Sequence, residues 1–409
     1  MKLPFLLYTG DARDVIKIMP ADSVDAVVTD PPYELGFMGR GWDRSGVAND
    51  VAVWAECLRV LKPGGHLLAF SGSRTYHRMA CAIEDAGFEL RDQIMWLYGS
   101  GFPKSKNLDG DWQGWGTALK PAHEPICVAR KPLVGTVAAN VLAHGTGALN
   151  IDACRVHADD ALGGPYTVKR FAPGASVNAN GNWKQDVDYR GEMKAGRWPA
   201  NVIHDGSDEV LAAFPDAPGQ MADANSDPMR IKNRNAYSAM RAGRVGEESA
   251  ARRYAGSGGT DFAMKPGARR LDAGSAARFF YCAKASRTDR NEGVGGSDIP
   301  VVAKGATMRE QEDADWAARN GNYHPTVKPT ELMAYLCRLV TPSAGLVLDP
   351  FMGSGSTGKA ALREGFSFVG IDVTPEYVEI ARARLAYEWE RIERARHDGT
   401  DQLSLELEA

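Results

Sequence analysis

The chain has 409 residues, of which 44% are hydrophobic and 24% charged, with a formal net charge of -4. It is long enough to bury a large core and to hold two structural units. No apolar run approaches membrane-spanning length, Leu3-Pro4-Phe5-Leu6-Leu7-Tyr8 is too short for a signal-peptide core, and Cys57, Cys81, Cys127, Cys154, Cys282 and Cys337 form no C-x-x-C pair. These features speak against a spanning, secreted, disulfide-framed or zinc-ligated protein and lead us to expect a cytoplasmic one without metal, its cysteines small buried residues.

Taken in order, Phe5 to Tyr8 reads as a buried strand ending at Gly10-Asp11, and Val15, Ile16 and Met19 mark a short helix. Val24 to Val28 is the next strand, and it stops at Asp30-Pro31-Pro32-Tyr33. Two prolines lack N–H groups, fix their own φ and disfavour helix before them, so this loop is stiff. It can aim the Asp30 carboxylate and the Pro31 carbonyl at one point beside the Tyr33 ring, an arrangement suited to a planar amine such as that of a nucleobase. The same four residues also serve as an ordinary turn after a buried strand.

A Gly-rich loop from Gly36 to Gly46 precedes an amphipathic helix bearing Val51, Trp54, Leu58 and Leu61, which Lys62-Pro63-Gly64-Gly65 should stop. His66 to Phe70 is then a strand, Tyr76 to Ala86 a helix closed by Gly87, and Ile94 to Tyr98 a strand. Such alternation predicts an α/β protein with a parallel, doubly wound, Rossmann-like sheet. From about Leu133 to Asn320 the pattern weakens, and only fragments such as Phe279-Phe280-Tyr281 look buried. Ala139-Asn140-Val141-Leu142 resembles Ala200-Asn201-Val202-Ile203, too short a match for a repeat. Within this region, Met229 to Arg290 holds 14 Lys+Arg against 5 Asp+Glu. Arg230, Arg234, Arg241, Arg244, Arg252 and Arg253 make it either a DNA-contacting arm or a solvated loop.

Periodicity returns after His324-Pro325-Thr326-Val327-Lys328-Pro329, with Leu332, Met333, Leu336, Leu339 and Val340 on one helix face. A strand (Leu346 to Leu348), a glycine loop, a helix through Leu362 and a strand (Phe366 to Ile371) ending at Asp372 follow. Thr374-Pro375-Glu376 opens a last helix running to about Ile392, and the residues from His397 onward read as an acidic tail. Gly353-x-Gly355-x-x-Gly358, with Asp372 nineteen residues on, matches the dinucleotide fingerprint. A P-loop reading fails because Ala360 stands where a magnesium-holding hydroxyl is needed. A dinucleotide and S-adenosylmethionine both remain, since each needs close backbone approach and an acid for ribose hydroxyls. Asp349, four residues ahead of the first glycine, favours the cationic methionine derivative over a pyrophosphate.

Asp349-Pro350-Phe351-x-Gly353-Ser354-Gly355-Ser356-Thr357, Asp30-Pro31-Pro32-Tyr33 and His324-Pro325-Thr326-x-Lys328-Pro329 together resemble the amino-methylating DNA methyltransferases of the permuted beta class. The likeness covers roughly residues 1–132 and 321–388, and Gly99 to Ser105 resembles prophage-type members. It implies a class I methyltransferase sheet, circularly permuted, with a catalytic half (1–132), a target-recognition insert (133–320, basic stretch 229–290), a cofactor half (321–388) and a terminal segment (389–409). It further implies S-adenosylmethionine held by Asp11, Thr326, Lys328, Pro329, Asp349, Phe351, Gly353, Ser354, Gly355, Ser356, Thr357 and Asp372, with Asp11 near the adenine. Catalysis falls to Asp30, Pro31, Pro32 and Tyr33, the strand before Asp30 flanking the strand before Asp349. Double-stranded DNA is the implied partner and a homodimer the implied assembly. The Asp of D-P-P-Y favours N6 of adenine over N4 of cytosine. No Pro-Cys dipeptide offers a nucleophile for ring-carbon methylation. An N4-cytosine enzyme, a nicotinamide oxidoreductase and a catalytically dead DNA binder are the rival readings.

Overall fold

Strands buried on both faces need apolar residues pointing both ways, and Val24–Thr29 meets that demand with all six residues buried. The computed structural model describes residues 3–36, 41–101, 105–158, 164–170, 187–193, 195–217, 231–235, 238–241, 274–284, 287–295 and 321–397. Among these, nine strands form one sheet: β1 (Phe5–Thr9), β2 (Val24–Thr29), β3 (Leu61–Phe70), β4 (Glu89–Leu97), β5 (His123–Arg130), β6 (Val202–His204), β7 (Tyr281–Cys282), β8 (Leu346–Asp349) and β9 (Ser367–Asp372). Their spatial order is β1-β9-β8-β2-β3-β5-β4-β6-β7, parallel throughout except for β5.

Successive residues alternate between two cores. Ala26, Val28, Leu68, Phe70, Ile126, Val128, Val347 and Phe368 pack under α5 (Thr330–Val340), α6 (Ser356–Arg363) and α7 (Pro375–His397). Val24, Val27, Leu67, Ala69, Cys127, Ala129, Leu348 and Ile371 pack under α1 (Ala12–Val15), α2 (Val51–Val60) and α3 (Tyr76–Asp85). Each fully buried aliphatic side chain of this kind contributes about 1.5–3 kcal/mol. The result is a three-layer α/β sandwich, as the alternating pattern predicts.

Helix α2 ends at Val60, and Leu61 already pairs with Val24, so Lys62-Pro63-Gly64-Gly65 forms an irregular entry into β3 instead of a loop before it. Gly64 has φ +78, and the Pro63 carbonyl accepts from Asn140 Nδ2 (2.8 Å) and Thr146 Oγ1 (2.6 Å). Asn140 lies on α4 (Val137–His144), a helix the pattern did not reveal. Of the cysteines, Cys57, Cys127, Cys154 and Cys337 are buried as expected, but Cys81 is exposed and Cys282 half-buried; all are free.

The chain steps from β8 outward to β9 on one side and from β2 outward to β3 on the other. At their junction Val347 pairs with Ala26 and Leu348 with Val27. A crevice opens at the carboxyl ends of strands where the winding reverses in this way. The first strand closes the other flank, Thr9 pairing with Asp372.

Residues Met1–Cys154, Ala200–Ala212 and Phe280–Ala409 form one compact unit, which carries this sheet, and Arg155–Pro199 with Ala213–Phe279 form a second. The second unit is built from antiparallel pairs: Gly164–Arg170 with Val187–Met193, Ile231–Asn235 with Ser238–Arg241, and Asp216–Ala217 with Gly274–Ser275. Within it the Arg197 guanidinium bonds the carbonyls of His157 and Arg278 and lies over the Phe279 ring. Among the described residues no helix is long and apolar enough to cross a membrane, and no group of three or more His, Cys, Asp or Glu is placed to hold a metal.

Candidate active site

Strand β2 delivers Asp30 to the edge where β8, β9 and β1 end in Asp349, Asp372 and, two residues past Thr9, Asp11. The Asp30 loop is fixed from both sides. The Tyr33 carbonyl accepts from Thr75 Oγ1 (2.7 Å) at the start of α3. Glu34 sits in the left-handed region (φ +56), a conformation that costs a non-glycine residue roughly 1–2 kcal/mol. Its N–H bonds Asp43 Oδ1 (3.0 Å) and its carboxylate accepts from the Gly46 N–H (2.9 Å), which offsets that strain.

Lys328 sits at the centre of the site. Its ammonium donates to Asp30 Oδ2 (2.6 Å) and to Tyr33 Oη (3.1 Å), and it pairs with Glu124 Oε2 (3.2 Å). The Tyr33 hydroxyl lies by the Asp30 carboxylate but donates its proton to Glu124 Oε2 (2.8 Å). The Lys328 ammonium also stands 5.0 Å from the centre of the Phe70 ring. Burial disfavours its charge, yet the two carboxylates outweigh burial and hold the lysine above the ordinary ammonium range. For Asp30 the balance goes the other way: burial, reinforced by Glu124, raises its carboxyl despite Lys328. Burial and both carboxylates hold the Tyr33 phenol well above its ordinary value. Asp30 Oδ1 is buried and makes no hydrogen bond. A buried acceptor without a donor is costly, so this atom marks where a ligand donor belongs.

The glycine loop follows β8. Asp349 is not open to a cationic group, because it is 1% exposed and its oxygens accept from Thr29 Oγ1 (2.6 Å), the Phe351 N–H (3.0 Å) and Thr357 Oγ1 (2.5 Å). Burial raises its carboxyl to about 7. It shapes the turn from inside and ties β8 to β2. Each glycine has its own reason. A Cβ on Gly353 (φ +50) would come within 2.7 Å of the His324 imidazole, and one on Gly358 within 2.6 Å of the Phe368 ring. Gly355 (φ +81) is the left-handed cap that starts α6. Asp372 Oδ2 accepts from the Gly353 N–H (2.9 Å) and Oδ1 from the Thr374 N–H (2.8 Å), and burial raises its carboxyl too. Ser354 and Ser356 turn inward: both hydroxyls accept from Arg384 Nη1 (3.2 and 3.4 Å) on α7.

Thr326 is exposed and Pro329 buried. Asp11 caps α1 and holds Arg13, its oxygens accepting from the Arg13 N–H (2.9 Å) and guanidinium (2.5 Å), and that bonding lowers its carboxyl. Arg230, Arg244, Arg252 and Arg253 lie outside the described residues, and Arg234 and Arg241 are described only as backbone in their antiparallel pair.

Sequence reading missed Glu124 and the segment Arg287–Asn291. Asp289 accepts from the N–H and hydroxyl of Thr330 (2.9 and 2.7 Å), capping α5 two residues beyond Lys328. Arg290 bonds the carbonyls of Asn322 (3.1 Å) and His324 (2.6 Å). Lys359, fully buried, pairs with Asp289 (2.5 Å) and Glu292. The stretch that carries Lys328 is therefore clamped from behind.

The buried acid with its free oxygen thus stands on a proline-stiffened loop at the switch point of the sheet, where β8 leads into the glycine loop. The chain belongs to the DNA methylase family N6_N4_Mtase, whose model matches residues 24–383. It is 45% identical over 93 residues to the type II methyltransferase M2.DpnII of Streptococcus pneumoniae, covering 23% of this chain and 32% of that protein. To M.HindIII of Haemophilus influenzae it is 25% identical over 198 residues, covering 35% and 64%. The chain thus spans less than two thirds of the length of either relative. Among solved structures it resembles the M1.HpyAVI–SAM complex (15% identity, 93% of this chain and 98% of that one, TM-score 0.38) and the PvuII cytosine-N4-specific methyltransferase (14%, 95% and 92%, 0.39).

Proposed function

We propose that the chain methylates double-stranded DNA at the exocyclic N6 of adenine, using S-adenosylmethionine. The observation that carries this is the unpartnered Oδ1 of Asp30, held in D-P-P-Y at the crevice between β2 and β8. The residues present fit the methyl donor: Asp372, with spare lone pairs on both oxygens, stands beside Gly353 for its ribose, and the family resemblance adds Phe351, Gly353, Gly355, Thr326, Lys328 and Pro329. Ser354, Ser356, Thr357 and Asp349 build the loop from behind, and Asp11 lies at the adenine end. When bound, the donor supplies an electrophilic sulfonium methyl group.

The amine lone pair of adenine is delocalised into the ring. Asp30 Oδ1 and the Pro31 carbonyl accept its two hydrogens and draw the nitrogen towards tetrahedral geometry for in-line attack. With the methyl group on the nitrogen and the C–S electron pair left on the donor's sulfur as a neutral thioether, the excess proton of the cationic nitrogen would pass to the Asp30 carboxylate, whose proton affinity burial has raised. Pro32 keeps the loop stiff, and Tyr33 stacks on a base flipped from the duplex. The order of the halves supports the permuted beta class, with residues 133–320 as the target-recognition insert and the Arg230–Arg253 stretch on phosphates. A homodimer rests on the family resemblance alone. Mass spectrometry of nucleosides from DNA of a methylation-deficient host expressing the chain tests the proposal. N6-methyladenine is expected; N4-methylcytosine overturns the choice of base, and no methylated base overturns the activity.

A further inference from the structure

Among the described strands of the sheet only β5 runs antiparallel, so its amino end lies at the same edge as the carboxyl ends of its neighbours, with Phe70 paired to Ile126 and Trp96 to Glu124. That reversal brings Glu124 to the Asp30 loop. Without a second carboxylate, Asp30 would be the one anion bonded to the buried ammonium of Lys328, whose remaining partner is the Tyr33 hydroxyl (3.1 Å), and the ammonium could take both Asp30 oxygens. In the structure Glu124 draws on the same ammonium (3.2 Å) and accepts a hydrogen bond from the Tyr33 hydroxyl (2.8 Å), while Asp30 spends only Oδ2 on Lys328 (2.6 Å).

We propose that Glu124 is a positioning residue for amine methylation: it shares the Lys328 ammonium and fixes the Tyr33 hydroxyl, so that Asp30 keeps Oδ1 free for the target amine. This rests on the methylase reading above. The charged and titratable groups around Asp30 are Lys328, Tyr33 and Glu124, with Asp349 behind it and Tyr98 and His324 beside Glu124 and Lys328. His324 is lowered by burial to about 3, so it is neutral across the working range, while Tyr98 is raised by burial to about 12. The Glu124 charge pushes the Asp30 carboxyl up, so its removal shifts the ionisation of Asp30 to lower pH.

Glu124→Gln keeps the shape and an acceptor for Tyr33 but loses the charge. Single-turnover methylation of duplex DNA should slow by about 10- to 100-fold, the cost of a misplaced reacting group, and the acid limb of its pH profile should move to lower pH. Binding of S-adenosylmethionine by calorimetry should stay near wild type, which also shows that the variant is folded. Glu124→Asp, which restores the charge, should return the acid limb towards its wild-type position. A Gln variant as fast as wild type, or a slow one whose acid limb has not moved, overturns the inference while leaving a methylating wild type intact. A wild type that methylates no DNA brings down the methylase reading, and this inference with it.

Discussion

Lys359→Met tests the clamp behind the site. The lysine is fully buried between Asp289 (2.5 Å), Glu292 and the fully buried Glu388 (3.8 Å). Breaking a buried pair by removing one partner typically costs 3–5 kcal/mol, because the other charge is left uncompensated. Here the expected loss is about 3 kcal/mol, the low end. Glu388 keeps Arg363 (2.9 Å) and Arg391 (2.7 Å), and Asp289 keeps the N–H and hydroxyl of Thr330. Urea unfolding of wild type and variant, followed by a probe of the sheet, measures it. The pH dependence is more specific. Burial raises the Asp289 carboxyl, but Lys359 and Thr330 pull it below its usual value near 3.8. A depressed acid stabilises the fold above its unfolded pKa, and that stability is lost as pH falls through the folded one. The difference between wild type and variant should therefore be largest near neutrality and shrink below about pH 4. A loss under about 1 kcal/mol, or one that is flat with pH, would refute the claim that Lys359 holds Asp289 as an ion.

Asp349→Asn should flatten stability between about pH 4 and 7. Burial raises this carboxyl to about 7, so the folded chain holds a proton that the unfolded chain has released, and wild-type stability falls as pH rises through that window, by up to ~1.4 kcal/mol per unit. Denaturant midpoints across pH check the sign. Asp372→Ala should weaken S-adenosylmethionine binding by about 1–3 kcal/mol in calorimetry, and tight NAD binding without it would reverse the cofactor assignment. Neutralising Arg230, Arg234, Arg241, Arg244, Arg252 and Arg253 together should weaken DNA binding at every sequence and reduce its salt slope by nearly one unit for each phosphate the protein no longer neutralises. An unchanged slope returns the stretch to a solvated loop.

What was legible in the chain was whatever repeats locally. The strands before Asp30, Asp349 and Asp372 are short runs of Val, Ile, Leu and Phe bounded by turn residues, and both their existence and the β2–β8 junction match expectation. The run Ile126-Cys127-Val128-Ala129 was a strand signal of the same kind, obscured by Pro125 and the charged flanks. With β5 unseen, Glu124 stayed hidden. Ala139-Asn140-Val141-Leu142 and Ala200-Asn201-Val202-Ile203 show the limit of local reading: the first lies in a helix, while Val202 and Ile203 of the second lie in a strand between β4 and β7. Neighbours across the sheet decide such cases, and short apolar runs do not encode them. The network of Lys359, Asp289, Glu292 and Glu388 was beyond reach because its partners come from three separate segments.

Whether Asp30 accepts from the amine that is methylated is decided by single-turnover methylation of duplex DNA by Asp30→Ala, with S-adenosylmethionine binding measured beside it. The acceptor is needed most in the transition state, so the rate should fall by roughly 100-fold or more while cofactor affinity stays near wild type. Near-normal methylation by Asp30→Ala would mean that the carboxylate takes no part in catalysis and would reduce Asp30-Pro31-Pro32-Tyr33 to a turn.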